Sequence, residues 1–249
     1  NIKQFLIDYF VNGNIMKLAK KFDSFVFVTK EMATAFEVEK KPYVVVECAY
    51  TKPQYAKDEI TQFENNKKTI FYAGSIREEY GICHLLRAFS MIKDSNYRLV
   101  ICGGGPAEKI VKEYENRDSR IVYLGFVTPQ EVMRQQQMAT VLVSPREPNY
   151  EYVKYSFPSK SVDSLATGIP YVAHKLPCDP PEYENYINYA EDSDEGLYKK
   201  LVEICEMSEE QRSELGKKAQ RFIIEEKNPI VMTREIITMW KGIVVKKND

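Results

Sequence analysis

The sequence predicts an α/β protein built on a doubly wound parallel sheet, on two main observations. Between residues 68 and 173, short apolar runs typical of buried strands alternate with amphipathic segments typical of helices, joined by short connections. This β-α-β-α order favours a parallel sheet with helices on both faces. After residue 191 the pattern becomes helical. We therefore expect a sheet domain with a partial β-α-β unit before it and a helical C-terminus after it.

Residues 1–49 predict the small β-α-β unit, which we interpret as the tail end of a preceding domain. Its predicted strands are 25–28 and 43–46, and its predicted helices are 30–36 and an apolar-periodic segment over 5–19 that Gly13 interrupts. The chain begins at Asn1 and not at Met, which indicates a piece of a longer protein. Residues 50–67 are polar, charged and weakly periodic, and we interpret them as a linker.

The main sheet domain is predicted over residues 68–225, followed by a last helical segment over 226–249. Its predicted strands are 69–73, 98–102, 121–124, 140–144 and 170–173, and its predicted helices are 81–92, 107–115, 129–137 and 158–167. Ligands of such sheets bind outside the carboxyl ends of the strands. Those ends fall at Gly74, Gly103, Gly125, Ser144 and His174.

Three further helices are predicted at the C-terminus, over 194–207, 208–225 and 229–245. Ser208 and Gln211 form a capping-box pattern at the start of the second, and Pro229 stands in the first turn of the third. The third helix is so rich in apolar side chains that we expect the first unit or a missing domain to cover it.

Composition excludes several classes of function. With 35 basic and 36 acidic residues the chain lacks the basic surface of a nucleic-acid binder. Five scattered cysteines without a Cys-x-x-Cys pair argue against zinc ligation and a disulfide framework, and fit a reducing cytosol. His84 and His174 stand without other ligands at metal-binding spacing, so we assign no metal and interpret both as structural. No apolar run is long enough to cross a membrane.

The most informative stretch is a polar loop that leads into the helix predicted from residue 158. The loop presents two hydroxyls and an ammonium next to unpaired backbone N–H groups at a helix start, which together suit a phosphate. The residues concerned are Ser156, Phe157, Pro158, Ser159 and Lys160. The alternative is an ordinary helix start with Ser156 or Ser159 as the cap.

Three other positions have both a functional and an ordinary interpretation. Gly74, Ser75 and Arg77 follow a strand and could face a phosphate, or form a plain turn with a solvated arginine. The Gly103-Gly104-Gly105 run lacks the dinucleotide spacing and favours a simple turn. In Gly125-Phe126-Val127-Thr128, backbone groups could contact a base, although the residues alone support only a Thr128 cap.

Asp163 lies one turn after Lys160 in the predicted helix. A carboxylate facing the cleft below a phosphate site is well placed to accept hydrogen bonds from ribose hydroxyls. The alternative is an Asp–Lys pair at i, i+3 on a solvated face.

Taken together, five motifs in register resemble the C-terminal, donor-binding half of retaining group-1 glycosyltransferases with the GT-B fold, whose donor domain is Rossmann-like. The resemblance covers about residues 68–225 and rests on Tyr72-Ala-Gly-Ser, Tyr80-Gly81 with Leu86-x-Ala-Phe, Gly-Gly-Gly-Pro, Leu124-Gly-Phe-Val, and Phe157-Pro-Ser-Lys with Asp163 and Gly168-x-Pro. This family builds capsular, cell-wall and lipopolysaccharide sugars. In that fold a final helix crosses back to the first domain, as we expect for residues 226–249.

The resemblance implies roles for matched residues. Gly74 and Ser75 would lie against the donor diphosphate, the Phe126-Val127 turn against the base, and residues 156–160 over the phosphates. Asp163 replaces the usual ribose-binding glutamate. We assign Lys160 and Arg77 as catalytic cations.

The chain departs from the family at three positions. Ser75 and Tyr80 stand where many relatives have an Arg and a Lys, so charge neutralisation is expected from Arg77, Lys160 or Lys154. Tyr155 stands where relatives have a glutamate that touches the donor sugar, and we assign it to the donor site.

The sequence therefore indicates a glycosyltransferase that moves a sugar from a UDP- or GDP-linked donor to a glycan or lipid-linked acceptor, with retention. No cofactor and no metal are expected, the missing N-terminal domain would complete the acceptor side, and nucleic acid is not a partner. We expect the fragment alone to be inactive in sugar transfer. We also expect it in the cytoplasm, in peripheral contact with the inner face of the cell membrane if the acceptor is lipid-linked. One alternative is an inactive GT-B-like subunit that docks a partner through its C-terminal helix; a weaker one is a sugar-nucleotide epimerase.

Overall fold

The computed structural model describes residues 13–52 and 67–248. The first part of the helix predicted over 5–19, and most of the linker predicted over 50–67, lie outside these ranges. The rest of the predicted order of strands and helices is present, and the predicted fold class, a doubly wound parallel sheet with a helical C-terminus, is confirmed.

The main sheet has six parallel strands in the spatial order β5-β4-β3-β6-β7-β8. They are β3 (Lys68–Ala73), β4 (Tyr97–Cys102), β5 (Ile121–Gly125), β6 (Val141–Ser144), β7 (Tyr171–His174) and β8 (Asn188–Ala190). The chain leaves β3 toward β4 and β5, then returns to add β6, β7 and β8 on the other side. This reversal places a crevice between the carboxyl ends of β3 and β6.

Helices cover both faces of this sheet. They are α3 (Ile82–Met91), α4 (Glu108–Arg117), α5 (Pro129–Gln137), α6 (Ser159–Leu165), α7 (Asp194–Glu206) and α8 (Glu209–Glu226). Thr128 accepts a hydrogen bond from the N–H of Glu131 at the start of α5, and the capping box of Ser208 and Gln211 forms at α8. Both predicted caps are confirmed.

Alternate residues of the central strand enter two different cores. Ile70 packs with the side of the sheet that α3 and α7 cover, whereas Phe71 packs with the side that α6 and α8 cover. Because both faces are buried, β3 is apolar over its last four residues, 70–73. The sheet is therefore a rigid support for the loops at its carboxyl edge.

A small unit, which we call the first unit, precedes the sheet domain. Its parallel strands β1 (Phe25–Phe27) and β2 (Tyr43–Val45) flank helix α2 (Glu31–Ala35), with α1 (Gly13–Ala19) before them. The terminal helix α9 (Pro229–Asn248) contacts β2, so it crosses back to this unit. None of the helices within the described ranges combines the length and apolarity needed to span a bilayer.

Some features differ from the sequence prediction. Strand β8 was not predicted, and neither were the 3-10 turns at Glu78–Tyr80, Glu151–Tyr155 and Pro181–Asn185. Helix α6 is shorter than predicted, and Pro158 occupies its N-cap position without a side-chain cap. The expectation that Ser156 or Ser159 caps this helix is therefore not met.

Candidate functional site

A cleft of about 1450 Å³ opens at the carboxyl edge of the sheet. The loops that follow β3, β4, β5 and β6 line it, together with α6 and the segment before α6. This is the crevice that the reversal of strand order creates, where open α/β sheets bind their ligands.

Backbone hydrogen bonds join the loops on one wall of the cleft. The N–H of Gly74 donates to Cys102 at 3.0 Å, and the N–H of Ile76 donates to Gly104 at the same distance. The Tyr72 hydroxyl donates to the carbonyl of Ser75 at 2.9 Å. These bonds fix the Gly74-Ser75 turn against the glycine-rich turn after β4, and both turns line the cleft.

The opposite wall is the segment predicted to face a phosphate. Residues 156–160 all line the cleft, with Phe157 packed into the core and Lys160 exposed. Phe157 packs against the ring of Tyr183, with centroids 5.4 Å apart. Its burial anchors the segment, so the hydroxyls of Ser156 and Ser159 and the ammonium of Lys160 stand at the cleft wall. Because α6 has only seven residues, these side chains matter more than the dipole of the helix.

Asp163 lines the same cleft one turn after Lys160. The two residues form no ion pair among those found in the described residues, so the side chains do not neutralise each other directly. The pocket wall removes water from part of the carboxyl and raises its pKa, while Lys160 opposes that shift. Part of the residue remains exposed to solvent in the cleft. A carboxylate in this setting is available to accept hydrogen bonds from a ligand.

The turn after β5 reaches the far end of the cleft. Phe126 is 91% exposed at its tip, and Val127 beside it is half-buried. Both residues line the cleft with Gly103 and Gly104. The turn therefore presents backbone groups and an aromatic side chain to any ligand that extends past the glycine-rich turn.

The structure does not bring Arg77, Lys154 or Tyr155 into the cleft lining. Arg77 pairs with Glu79 at 2.8 Å on the surface, and Lys154 pairs with Glu151 at 3.0 Å. Tyr155 is exposed and donates a long hydrogen bond of 3.4 Å to Glu151. Each of these three side chains pairs with a residue of its own turn, outside the cleft.

Sequence reasoning missed Arg146, which follows β6 and lines the cleft. Its side chain is buried and lies over the rings of Tyr152 and Tyr80, with the guanidinium carbon 4.9 and 5.7 Å from their centroids. The available signal was its position two residues after the predicted strand end at Ser144, an edge that was already expected to bind a ligand.

The two histidines lie outside this lining. His84 Nδ1 is 2.8 Å from a carboxylate oxygen of Asp194, and its Nε2 is 3.4 Å from Glu147. His174 is buried at the end of β7, and burial lowers its pKa. Across the described ranges, no three His, Cys, Asp or Glu side chains are grouped to hold a metal ion.

Several solved structures superpose on more than nine tenths of this chain. TarM of S. aureus, a G117R mutant bound to fondaparinux, α-GlcNAc-glycerol and UDP, superposes with a TM-score of 0.70 at 15% identity, covering 92% of this chain and 46% of TarM. Sucrose-phosphate synthase of Thermosynechococcus elongatus superposes with a TM-score of 0.72 at 16% identity, covering 93% of this chain and 61% of the synthase. HepE of Anabaena, bound to UDP and glucose, superposes with a TM-score of 0.67 at 14% identity, covering 92% of this chain and 66% of HepE. The chain thus spans about half to two thirds of these relatives.

No curated protein sequence matches the chain significantly. The family model for group 1 glycosyl transferases matches residues 54–222, well over half of the chain and nearly all of the sheet domain. This match confirms the resemblance that the five sequence motifs indicated. The chain belongs to the group 1 glycosyl transferase family.

Proposed function

We propose that this chain is the donor-binding part of a retaining glycosyltransferase that uses a UDP- or GDP-linked sugar. The hexose would pass to a glycan or lipid-linked acceptor in polysaccharide biosynthesis. Family membership supports sugar transfer, and the UDP bound by TarM and HepE supports a nucleotide-sugar donor.

The charge of the cleft is the observation that carries this proposal. Within the described lining, three cationic side chains (Lys52, Arg146 and Lys160) face a single carboxylate, that of Asp163. The chain as a whole has a net charge of −1, so the excess of positive charge in this lining is local and does not follow from the composition. A nucleoside diphosphate matches it, because its phosphates need cations and its ribose hydroxyls need an acceptor.

In the proposed reaction, the bond between the anomeric carbon and the β-phosphate oxygen breaks while the acceptor oxygen bonds to the same face of the sugar. The acceptor proton passes to the departing diphosphate. Lys160 would stabilise the negative charge that grows on the leaving group, and Gly74 and Ser75 would lie against the diphosphate. Asp163 would hold the ribose, and the turn at Phe126 and Val127 would contact the base. We propose no cofactor and no metal for these steps.

The small first unit lacks the size of a complete acceptor domain. We therefore propose that the 249 residues bind donor nucleotide without appreciable transfer, and that an N-terminal domain completes the acceptor side. We place the protein in the cytoplasm, with peripheral contact with the membrane if the acceptor is lipid-linked. Turnover of a sugar nucleotide onto an acceptor by this chain alone would contradict this part of the proposal.

The donor site is tested by calorimetry with UDP and GDP, each titrated into the wild-type chain. Lys160→Ala and Asp163→Ala should each weaken the better nucleotide by about 10- to 100-fold, the value of one charge-assisted hydrogen bond. Lys154→Ala is the matched control, because Lys154 is in the same segment but pairs with Glu151 outside the cleft. Equal affinities of all four proteins would sink the donor-site assignment.

A second candidate is an inactive subunit that docks a partner through α9. The exposed apolar side chains of this helix favour it, since Ile230 is 75% exposed and Trp240 is 59% exposed. This alternative predicts no binding of either nucleotide by the wild-type chain, together with a change in Trp240 fluorescence when the partner is added.

A further inference from the structure

Arg146 is a buried cation for which the described residues supply no carboxylate partner. It is 8% exposed, and no ion pair among the described residues includes it, whereas buried Lys227 pairs with two carboxylates. Asp179 feels its charge from farther away, but that carboxylate accepts hydrogen bonds from the Leu176 N–H and the Tyr189 hydroxyl. Because burying an unpaired charge is costly, the position calls for an anion from outside the chain.

Two aromatic rings hold the guanidinium in place. Its carbon lies 4.9 Å from the centroid of Tyr152 and 5.7 Å from that of Tyr80, within the range of cation–π attraction. The Tyr152 hydroxyl donates to the carbonyl of Glu79 at 2.9 Å, which ties the two ring-bearing segments together. We call these two rings the tyrosine bracket. The bracket fixes the charge without neutralising it.

The backbone also fits the loop of Arg146 against the start of α3. Gly81 has φ +78°, and a Cβ atom at this position would lie 1.7 Å from the carbonyl oxygen of Pro145. Only glycine allows this approach, and it holds Pro145, the residue before Arg146, beside Tyr80. Segments more than 60 residues apart in the sequence thus form one support.

The guanidinium reaches the cleft wall where a diphosphate is expected. Its Nη1 donates to the carbonyl of Ser156 at 3.1 Å, and its Nε, shielded from solvent, has no hydrogen-bond partner among the described residues. Arg146, Ser75 and Ser156 all line the cleft. A planar guanidinium with unused donors suits the paired oxygens of a phosphate.

We propose that Arg146 is a second cation, beside Lys160, that binds the donor diphosphate, and that Tyr80 positions it through the tyrosine bracket. This explains the departure at the first loop: where many relatives have a lysine, Tyr80 supplies no charge of its own but holds a charge from the loop after β6. The inference rests on the proposed donor-binding function and deepens it, because it names a second residue that recognises the diphosphate.

The test compares diphosphate with nucleoside binding. UDP, GDP and the corresponding nucleosides are titrated into the wild type, Arg146→Gln and the control Arg77→Gln, whose arginine pairs with Glu79 outside the cleft. Arg146→Gln should weaken diphosphate binding by about 10- to 100-fold and leave nucleoside binding unchanged, so the ratio of the two affinities falls. Arg77→Gln should leave the ratio at its wild-type value. If Arg146→Gln binds diphosphate as the wild type does, the inference is wrong.

The positioning role of Tyr80 is tested with separate variants. These variants also test the inference if Arg146→Gln does not fold. Tyr80→Leu retains the arginine but removes one ring of the bracket, so the ratio should fall by roughly 3- to 10-fold, as expected for losing one cation–π contact. Tyr80→Phe keeps the ring and should restore it. An unchanged ratio in Tyr80→Leu contradicts the positioning role. Absence of all nucleotide binding in the wild type instead defeats the proposed function itself.

Discussion

The imidazole of His174 is buried at the end of β7, where water cannot solvate a charged form. Burial lowers the pKa of this residue from its ordinary value of 6.5, and the neighbouring His84 lowers it further, while Asp192 and Glu147 oppose the shift. The folded protein therefore holds a neutral ring where the unfolded chain takes up a proton.

This burial makes stability depend on pH in one direction. As the pH falls below 6.5, the unfolded state gains a proton that the folded state does not bind, so the free energy of unfolding decreases. Urea denaturation between pH 5 and pH 8, on the scale of histidine titration, should show this loss in the wild type and a smaller loss in His174→Gln. The His84→Gln variant serves as the control for the neighbouring ring. A steeper loss in His174→Gln than in the wild type would contradict the sign.

At the scale of single residues, the position of the cleft could be predicted from the sequence more completely than the charged side chains that line it. Glycines, hydroxyls and Lys160 follow the strand ends in the chain, so their shared edge could be predicted from topology. The structure places Arg77, which we assigned as a catalytic cation, outside the cleft lining, where it pairs with Glu79 on the surface. The position of Arg146 just after a strand end was a signal in the sequence, but its contact with the tyrosine bracket was not, because those rings meet only in the folded chain.

At the scale of elements, the position of α6 depends on its packing against α8. A Cβ atom on Gly216 of α8 would lie 1.8 Å from the carbonyl oxygen of Gly168, in the turn between α6 and β7. The Gln220 amide of α8 donates to the carbonyl of Ala166 at the end of α6, at 2.9 Å. Since α6 includes Lys160 and Asp163, this close packing also positions the proposed donor site.

Gly216→Ala should therefore push α8 away from the turn and destabilise the protein by roughly 1 to 3 kcal/mol, the usual cost of overpacking. Gly242→Ala is the matched control, since a Cβ atom there meets nothing within 4 Å. Because alanine is the better helix former, the control should be neutral or stabilising by up to about 1 kcal/mol. Thermal unfolding of both variants measures the difference, and equal melting temperatures would refute the packing argument.

The elements themselves were largely predictable, since apolar periodicity and caps are local signals. The exceptions have physical causes. Strand β8 is three residues, Asn188–Ala190, without a β-branched side chain, and only pairing with β7 makes it a strand. The 3-10 turn at Glu151–Tyr155 has a polar sequence in which only Val153 is buried, so it reads as a loop.

At the scale of the molecule, one buried ammonium joins the first unit to the sheet domain. Lys227 lies 2.6 Å from a carboxylate oxygen of Glu47, which follows β2, and 2.9 Å from one of Glu182. The Tyr183 hydroxyl also donates to Glu47, at 2.8 Å. Burial alone would lower the pKa of Lys227, but its hydrogen bonds to the two carboxylates outweigh that effect and raise it. The ammonium thus stays charged at the junction.

Removing one partner should cost more than removing the pair. Lys227→Met leaves the Glu47 carboxylate buried without its cation and should reduce the free energy of unfolding by about 3 to 5 kcal/mol. The double variant Glu47→Gln with Lys227→Met should recover much of this loss, because the buried acid is then neutral and the remaining carboxylate, Glu182, has a side chain that is 48% exposed and can be solvated. Urea denaturation of the single and double variants measures the coupling. Additive losses would show that the pair makes no special contribution.

The position of Lys227 bears on how this protein can be shortened. It stands at the start of the crossover, one residue before the Asn228 side chain that accepts from the N–H groups of Ile230 and Val231. A chain that ended at residue 226 would lose Lys227 together with the terminal helix, and the carboxylate of Glu47 would then be buried without its cation. The C-terminal segment therefore joins the two units, and its removal would destabilise the edge of the sheet where the nucleotide is expected to bind.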